Sequence, residues 1–140
     1  QTADIAWPVS LAYTYSQAEA SRDDSQSGVL EGDELASVPG NTMSLRMGAQ
    51  VGARWDSYAV VKYTDSMCVN VSCNRDESRF AETEGFVVID LGSRYAFTEA
   101  LSAFVKLENA LDERAIVSRQ PDGARPNKPR TAMIGVEWMF

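Results

Sequence analysis

The chain ends on Thr131-Ala132-Met133-Ile134-Gly135-Val136-Glu137-Trp138-Met139-Phe140, and this stretch decides the fold. Ala132, Ile134, Val136, Trp138 and Phe140 alternate with Thr131, Met133, Gly135, Glu137 and Met139. A period of two belongs to a β-strand, whose successive side chains point to opposite faces. Here one face is apolar and ends on two aromatics, while the other carries a glycine and a carboxylate.

The same pattern recurs upstream. Leu101, Ala103, Val105 and Leu107 oppose Ser102, Phe104, Lys106 and Glu108. Val87, Ile89, Leu91, Tyr95 and Phe97 oppose Asp90, Gly92, Arg94 and Ala96. A less regular strand over residues 58–64 sets Ala59, Val61 and Tyr63 against Val60, Lys62 and Thr64. Met43, Leu45, Met47, Ala49, Val51 and Ala53 alternate with Ser44, Arg46, Gly48, Gln50, Gly52 and Arg54, and Trp7, Val9, Leu11, Tyr13 and Tyr15 with Pro8, Ser10, Ala12, Thr14 and Ser16. Most runs approach the 9–11 residues that a tilted strand needs to cross hydrocarbon and exceed the common strand length of soluble proteins. A soluble sandwich also alternates, but its second face meets bulk water and seldom recruits so many glycines and alanines. Small residues with scattered charges of both signs suit the crowded interior of a barrel.

The connections alternate as well. Long links cover residues 17–40, 65–85 and 112–130, and short ones cover residues 54–57 and 98–100. Outer-membrane barrels have long external loops and short periplasmic turns, so link length fixes the direction of each strand. In that orientation Trp7, Trp55, Tyr95, Phe97, Trp138 and Phe140 share the periplasmic end, and Tyr13, Tyr15 and Tyr63 the outer one. Two aromatic girdles emerge, as the two headgroup layers require. Six antiparallel strands still leave two open edges, each costly in hydrocarbon, so the expected sheet closes with further strands from upstream, the alternative being other copies of the same chain.

Composition narrows the chemistry. The 140 residues include no histidine, which removes Ser/His/Asp catalysis and histidine-bound metals from this stretch. No enzyme activity, cofactor or metal is expected. A net charge of −7 with 13 scattered basic residues lacks the basic stripe of a nucleic-acid binder. The apolar residues form no run long enough for a transmembrane helix, and no signal peptide opens the chain. Cys68 and Cys73 stand five positions apart in a polar stretch and suit a small loop disulfide in an oxidising compartment. A metal half-site, which lacks a second ligand pair, and two free thiols are the alternatives.

Three features of the last third resemble the C-terminal part of TonB-dependent outer-membrane receptors, the ferric citrate and siderophore receptors among them. They are Val87, Ile89, Asp90 and Leu91; Glu108-Asn109-Ala110-Leu111-Asp112; and the loop from Ser118-Arg119-Gln120-Pro121 through Gly123-Ala124-Arg125-Pro126 to Pro129-Arg130-Thr131. Phe140 completes the match, which covers residues 33 to 140. The family's usual Asn-Leu-Phe-Asp stands here as Asn109-Ala110-Leu111-Asp112, with a smaller apolar middle. The resemblance implies an all-β, antiparallel transmembrane β-barrel of 22 strands, of which residues 1–140 form the C-terminal six, with the plug domain and earlier strands lying elsewhere. It implies energised uptake of a ferric siderophore or similar chelate, driven by the TonB complex through the N-terminal part. A passive porin or another barrel is the alternative. The implied location is the cell outer membrane, among lipid and lipopolysaccharide, with the C-terminus in the periplasm.

Two sets of residues stand out as candidate sites. In the basic last loop, Arg119 and Arg125 suit an anionic iron chelate, because guanidinium pairs well with carboxylates; fastening the loop to acidic neighbours or to lipopolysaccharide is the blander reading. Trp138 and Phe140 resemble the signal read by the barrel-assembly machinery. The acidic first loop, with Glu19, Asp23, Asp24, Glu31, Asp33 and Glu34, lacks the ligand order of an EF-hand and reads as a solvated segment. On the wet face, Asp90, Arg94, Lys106 and Glu108 are expected to neutralise one another across their hairpin.

Overall fold

The computed structural model describes residues 4–71, 73, 80–120 and 123–140. It contains strands β1 (Ile5–Ala6), β2 (Val9–Tyr15), β3 (Asn41–Val51), β4 (Trp55–Thr64), β5 (Phe86–Ala96), β6 (Leu101–Glu108), β7 (Ile116–Ser118), β8 (Arg125–Pro126) and β9 (Thr131–Trp138). All pairings are antiparallel. The main sheet is a meander in which β1 and β2 both pair with β3, followed by β4, β5, β6 and β9.

β1 and β2 are two halves of one strand. Ala6 opposes Gln50 and Val9 opposes Met47, so the register runs unbroken across Trp7 and Pro8. Pro8 has no amide to donate, yet its carbonyl still accepts from Gly48 at 2.8 Å. The missing amide interrupts the ladder at this point, which divides the strand into β1 and β2. The turn expected at residues 54–57 lies instead at residues 52–54, where Gly52 takes a φ of 56° that glycine adopts without strain. Trp55, Asp56 and Ser57 accordingly belong to β4 and face Tyr95, Arg94 and Ser93. The last strand stops at Trp138, with one further bond from the Met139 amide to the Ala100 carbonyl, so Phe140 lies beyond the ladder.

The apolar face has nothing to bury against. Ile134 is 84% exposed and Trp138 73%, and Leu11, Met47, Leu91 and Val105 are exposed along the same face. The total accessible surface is 9912 Å², whereas a folded monomer of this mass exposes about 7,200 Å². Among the described residues, the buried apolar cluster is Cys68, Cys73 and Ala81, and it lies in a loop. A sheet with so exposed an apolar face and two open edges presents a surface for a membrane or further protein to cover, and edges for further strands to pair.

The opposite face is polar and tightly filled. The Arg46 guanidinium lies 4.0 Å from the centre of the Tyr58 ring, and that ring covers Gly92. Phe104 covers Gly135 in the same way. The expected neutralisation across the β5–β6 hairpin is replaced by other pairings. Asp90 pairs with Lys62 of β4 at 2.8 Å, Arg94 with Glu137 of β9 at 2.9 Å, and Lys106 with Glu108 of its own strand at 2.5 Å. The physical reason is register. Lys106 stands opposite Gly92, and Arg94 opposite Phe104, so no opposite charges face each other directly.

Candidate functional site: the linked long loops

All three long loops leave the same end of the sheet, and they are bonded to one another. The first, residues 16–40, folds back on itself through the isolated bridges Glu19–Glu34 and Asp24–Val29. Its acids serve the backbone. Asp33, only 2% exposed, accepts from the Leu30 amide at 2.8 Å, Asp23 accepts from the Glu31 amide at 2.8 Å, and Asp24 caps Gln26 and Ser27. The Ser27 hydroxyl and then the Gln26 amide hold the Asp24 carboxyl below its usual range.

The second loop carries Cys68 and Cys73, which are joined in a disulfide with Cα atoms 5.5 Å apart. Among the described residues, the one group of three potential metal ligands is Glu34, Cys68 and Cys73, and both of its sulfurs are in that bond. The segment around the disulfide is the junction of the cluster. The Ser37 amide of the first loop donates to the Cys68 carbonyl at 2.8 Å, and from the third loop Gln120 donates to the Val69 carbonyl. Between the first and second loops lies a cavity of about 370 Å³ lined by Glu19, Glu34, Leu35, Asp65, Met67 and Glu82, among others. At its edge the Asn41 amide, then the Tyr63 hydroxyl, lowers the pKa of Asp65.

The third loop contains the β7–β8 hairpin, for which the sequence carries no alternation signal. Ile116 is tied to the second loop twice, by its carbonyl to the Glu84 amide at 2.9 Å and by its amide to the Glu84 carboxylate at 2.7 Å. Its base is held by two residues with left-handed backbone, Asn109 (φ 49°) and Asp112 (φ 54°), a conformation that Asn and Asp tolerate better than most residues. Asp112 accepts from the Arg130 amide and from Arg114, each at 3.2 Å; these two contacts, the Arg130 amide first, depress its pKa.

The two arginines expected to meet an anion are placed differently. The Arg119 Nε donates to the Glu82 carbonyl at 3.0 Å, and its guanidinium lies 5.3 Å from the centre of the Phe80 ring, so it fastens the third loop to the second. Arg125 is exposed in β8 and forms no ion pair among the described residues. Pro121 and Asp122, between them in sequence, lie outside the described residues. At the other end of the sheet, Trp138 and Phe140 are open to the surroundings, and the Trp55 indole donates to Ser93 at 2.9 Å.

Bonded loops over strands that are greasy on one face and charge-balanced on the other define a class: the wall of an antiparallel transmembrane β-barrel. No protein-family model matches the sequence, and no curated protein matches it. Solved structures do share its fold. The closed form of the ferric-catecholate import receptor Fiu from E. coli K12 superposes with a TM-score of 0.73 at 23% identity, over 96% of this chain and 19% of the receptor. The siderophore receptor PiuA from Acinetobacter baumannii gives 0.74 at 19% identity over 94% and 19%. The pyoverdine outer membrane receptor FpvA from Pseudomonas aeruginosa gives 0.68 at 22% identity over 96% and 19%. The chain thus has the fold of a barrel wall of siderophore receptors and spans about a fifth of their length.

Proposed function

We propose that this chain forms the C-terminal wall and last external loops of an outer-membrane receptor that takes up ferric siderophores or similar chelates. The observation that carries the reading is the match of nearly the whole chain to a ferric-catecholate import receptor and a pyoverdine outer membrane receptor. The role is non-enzymatic. Energy enters from the TonB complex through a plug and contact segment outside these residues, the C-terminus lies in the periplasm, and lipopolysaccharide surrounds the external end. Arg125, exposed and without an ion pair among the described residues, is the first candidate to meet an anionic chelate; Arg119, already engaged with Glu82, supports it.

The test is uptake of radiolabelled ferric catecholate by iron-starved cells producing the full-length protein, with and without a working TonB complex. Uptake that stops without TonB is expected. Uptake that continues by diffusion would overturn the reading in favour of a passive porin. Reversing the charge with Arg125→Glu should weaken binding of the anionic chelate about tenfold, the size of one lost charge-assisted contact. Unchanged affinity would remove Arg125 from the binding surface.

A further inference from the structure

Asp90, on the lumenal face of β5, divides its two carboxylate oxygens between two tasks. Oδ2 accepts from Lys62 Nζ on the neighbouring strand at 2.8 Å. Oδ1 accepts from the backbone amide of Asn109 at 2.9 Å, at the point where the chain leaves β6 for the last external loop. Asn109 is 3% exposed. Its left-handed backbone breaks the strand's alternation, so its amide needs an acceptor outside the regular ladder.

Asn109 in turn holds both ends of the loop. Its side-chain amide donates to the Glu113 carbonyl at 2.9 Å and to the Lys128 carbonyl at 2.8 Å, and its side-chain oxygen accepts from the Glu113 amide at 3.0 Å. The next residue, Ala110, adds a backbone bond to the Ile89 carbonyl at 2.7 Å. A cavity of about 280 Å³ lies beside this joint, lined by Lys62, Asp90, Glu108, Asn109, Asn127 and Lys128 among others. Truncating Asp90 would therefore open the Asn109 amide to this cavity and its water.

We propose that Asp90 is a positioning residue for the last external loop, acting from inside the barrel through Asn109 and by its acceptor oxygen, not its charge. The ion pair with Lys62 is a separate task of the same side chain. The proposal rests on residues 109–130 being an external loop and not on what the receptor transports, so its failure and the failure of the transport reading are distinguishable.

The experiment is amide hydrogen exchange on the purified full-length receptor without ligand, read on peptides covering residues 107–116. Asp90→Asn keeps an oxygen acceptor and loses the charge; Lys62→Met loses the ion pair alone. Both should leave exchange within about twofold of the unsubstituted protein, whereas Asp90→Ala should raise it about tenfold, near the upper end of what a hydrogen bond that needs no charge supplies. Unchanged exchange in Asp90→Ala would overturn the proposal. So would an Asp90→Asn effect of tenfold, a result that remains decisive where Asp90→Ala fails to assemble.

Discussion

Gly135 faces the ring of Phe104 so closely that a Cβ built there would overlap Cζ. A methyl group at this position must displace the ring in a face already packed with side chains. Overpacking of this kind costs about 1–3 kcal/mol. Gly135→Ala should lower the unfolding midpoint of the full-length receptor in detergent, while Gly40→Ala, whose Cβ would meet its nearest neighbour at an ordinary 3.6 Å, should not. Equal midpoints for the two variants would contradict the packing. Asp112 makes a second prediction at this scale. Its carboxyl is held below the ordinary 3.8 by the Arg130 amide and Arg114. A depressed folded-state value means that the clasp is at full strength above the ordinary Asp range and is lost as pH falls through the lowered value. The Arg130 amide shift in a pH titration should therefore turn over below 3.8; a midpoint at or above that value would show that the clasp does not form.

Strands and loops carry the next set of consequences. If Phe140 serves as an assembly signal, deleting it should reduce the amount of full-length protein reaching the outer membrane several-fold, without changing chelate affinity in molecules that do assemble. Immunoblots of membrane fractions read the first and binding assays the second, and normal assembly would remove the signal role. The strands were legible because two faces with different surroundings impose a strict period of two. β6 was readable residue for residue, since Leu101, Ala103, Val105 and Leu107 alternate with polar residues save Phe104. The start of β4 was not, because Trp55 and Asp56 follow directly on a turn whose position only the backbone of Gly52 reveals. The partners of Asp90 and Arg94 were hidden for a related reason. Charge pairing depends on register across strands, and register becomes visible only when the sheet is assembled. The β7–β8 hairpin is three residues against two, too short for any period to register.

In the proposed arrangement of the whole molecule, the apolar face lies in lipid, the polar face lines a lumen, the three bonded loops stand outside the cell and the two short turns face the periplasm. The loops' unity was the least legible part. It rests on backbone contacts such as Ser37 with Cys68 and Glu84 with Ile116, which join residues far apart in sequence and leave no mark in composition. Guanidinium chemistry singles out Arg119 and Arg125 alike, and the fold separates them only by committing the Arg119 Nε to the Glu82 carbonyl. The most direct test of the arrangement is labelling of intact cells that produce the full-length protein, using a maleimide reagent too large to pass through porins. Cysteine placed by Ser27→Cys, in the first long loop, should react in intact cells, and cysteine placed by Glu99→Cys, in the turn before β6, should react only after the outer membrane is opened. The reverse pattern, or equal labelling of both sites in intact cells, would contradict the orientation and with it the reading of these strands as the wall of an outer-membrane receptor.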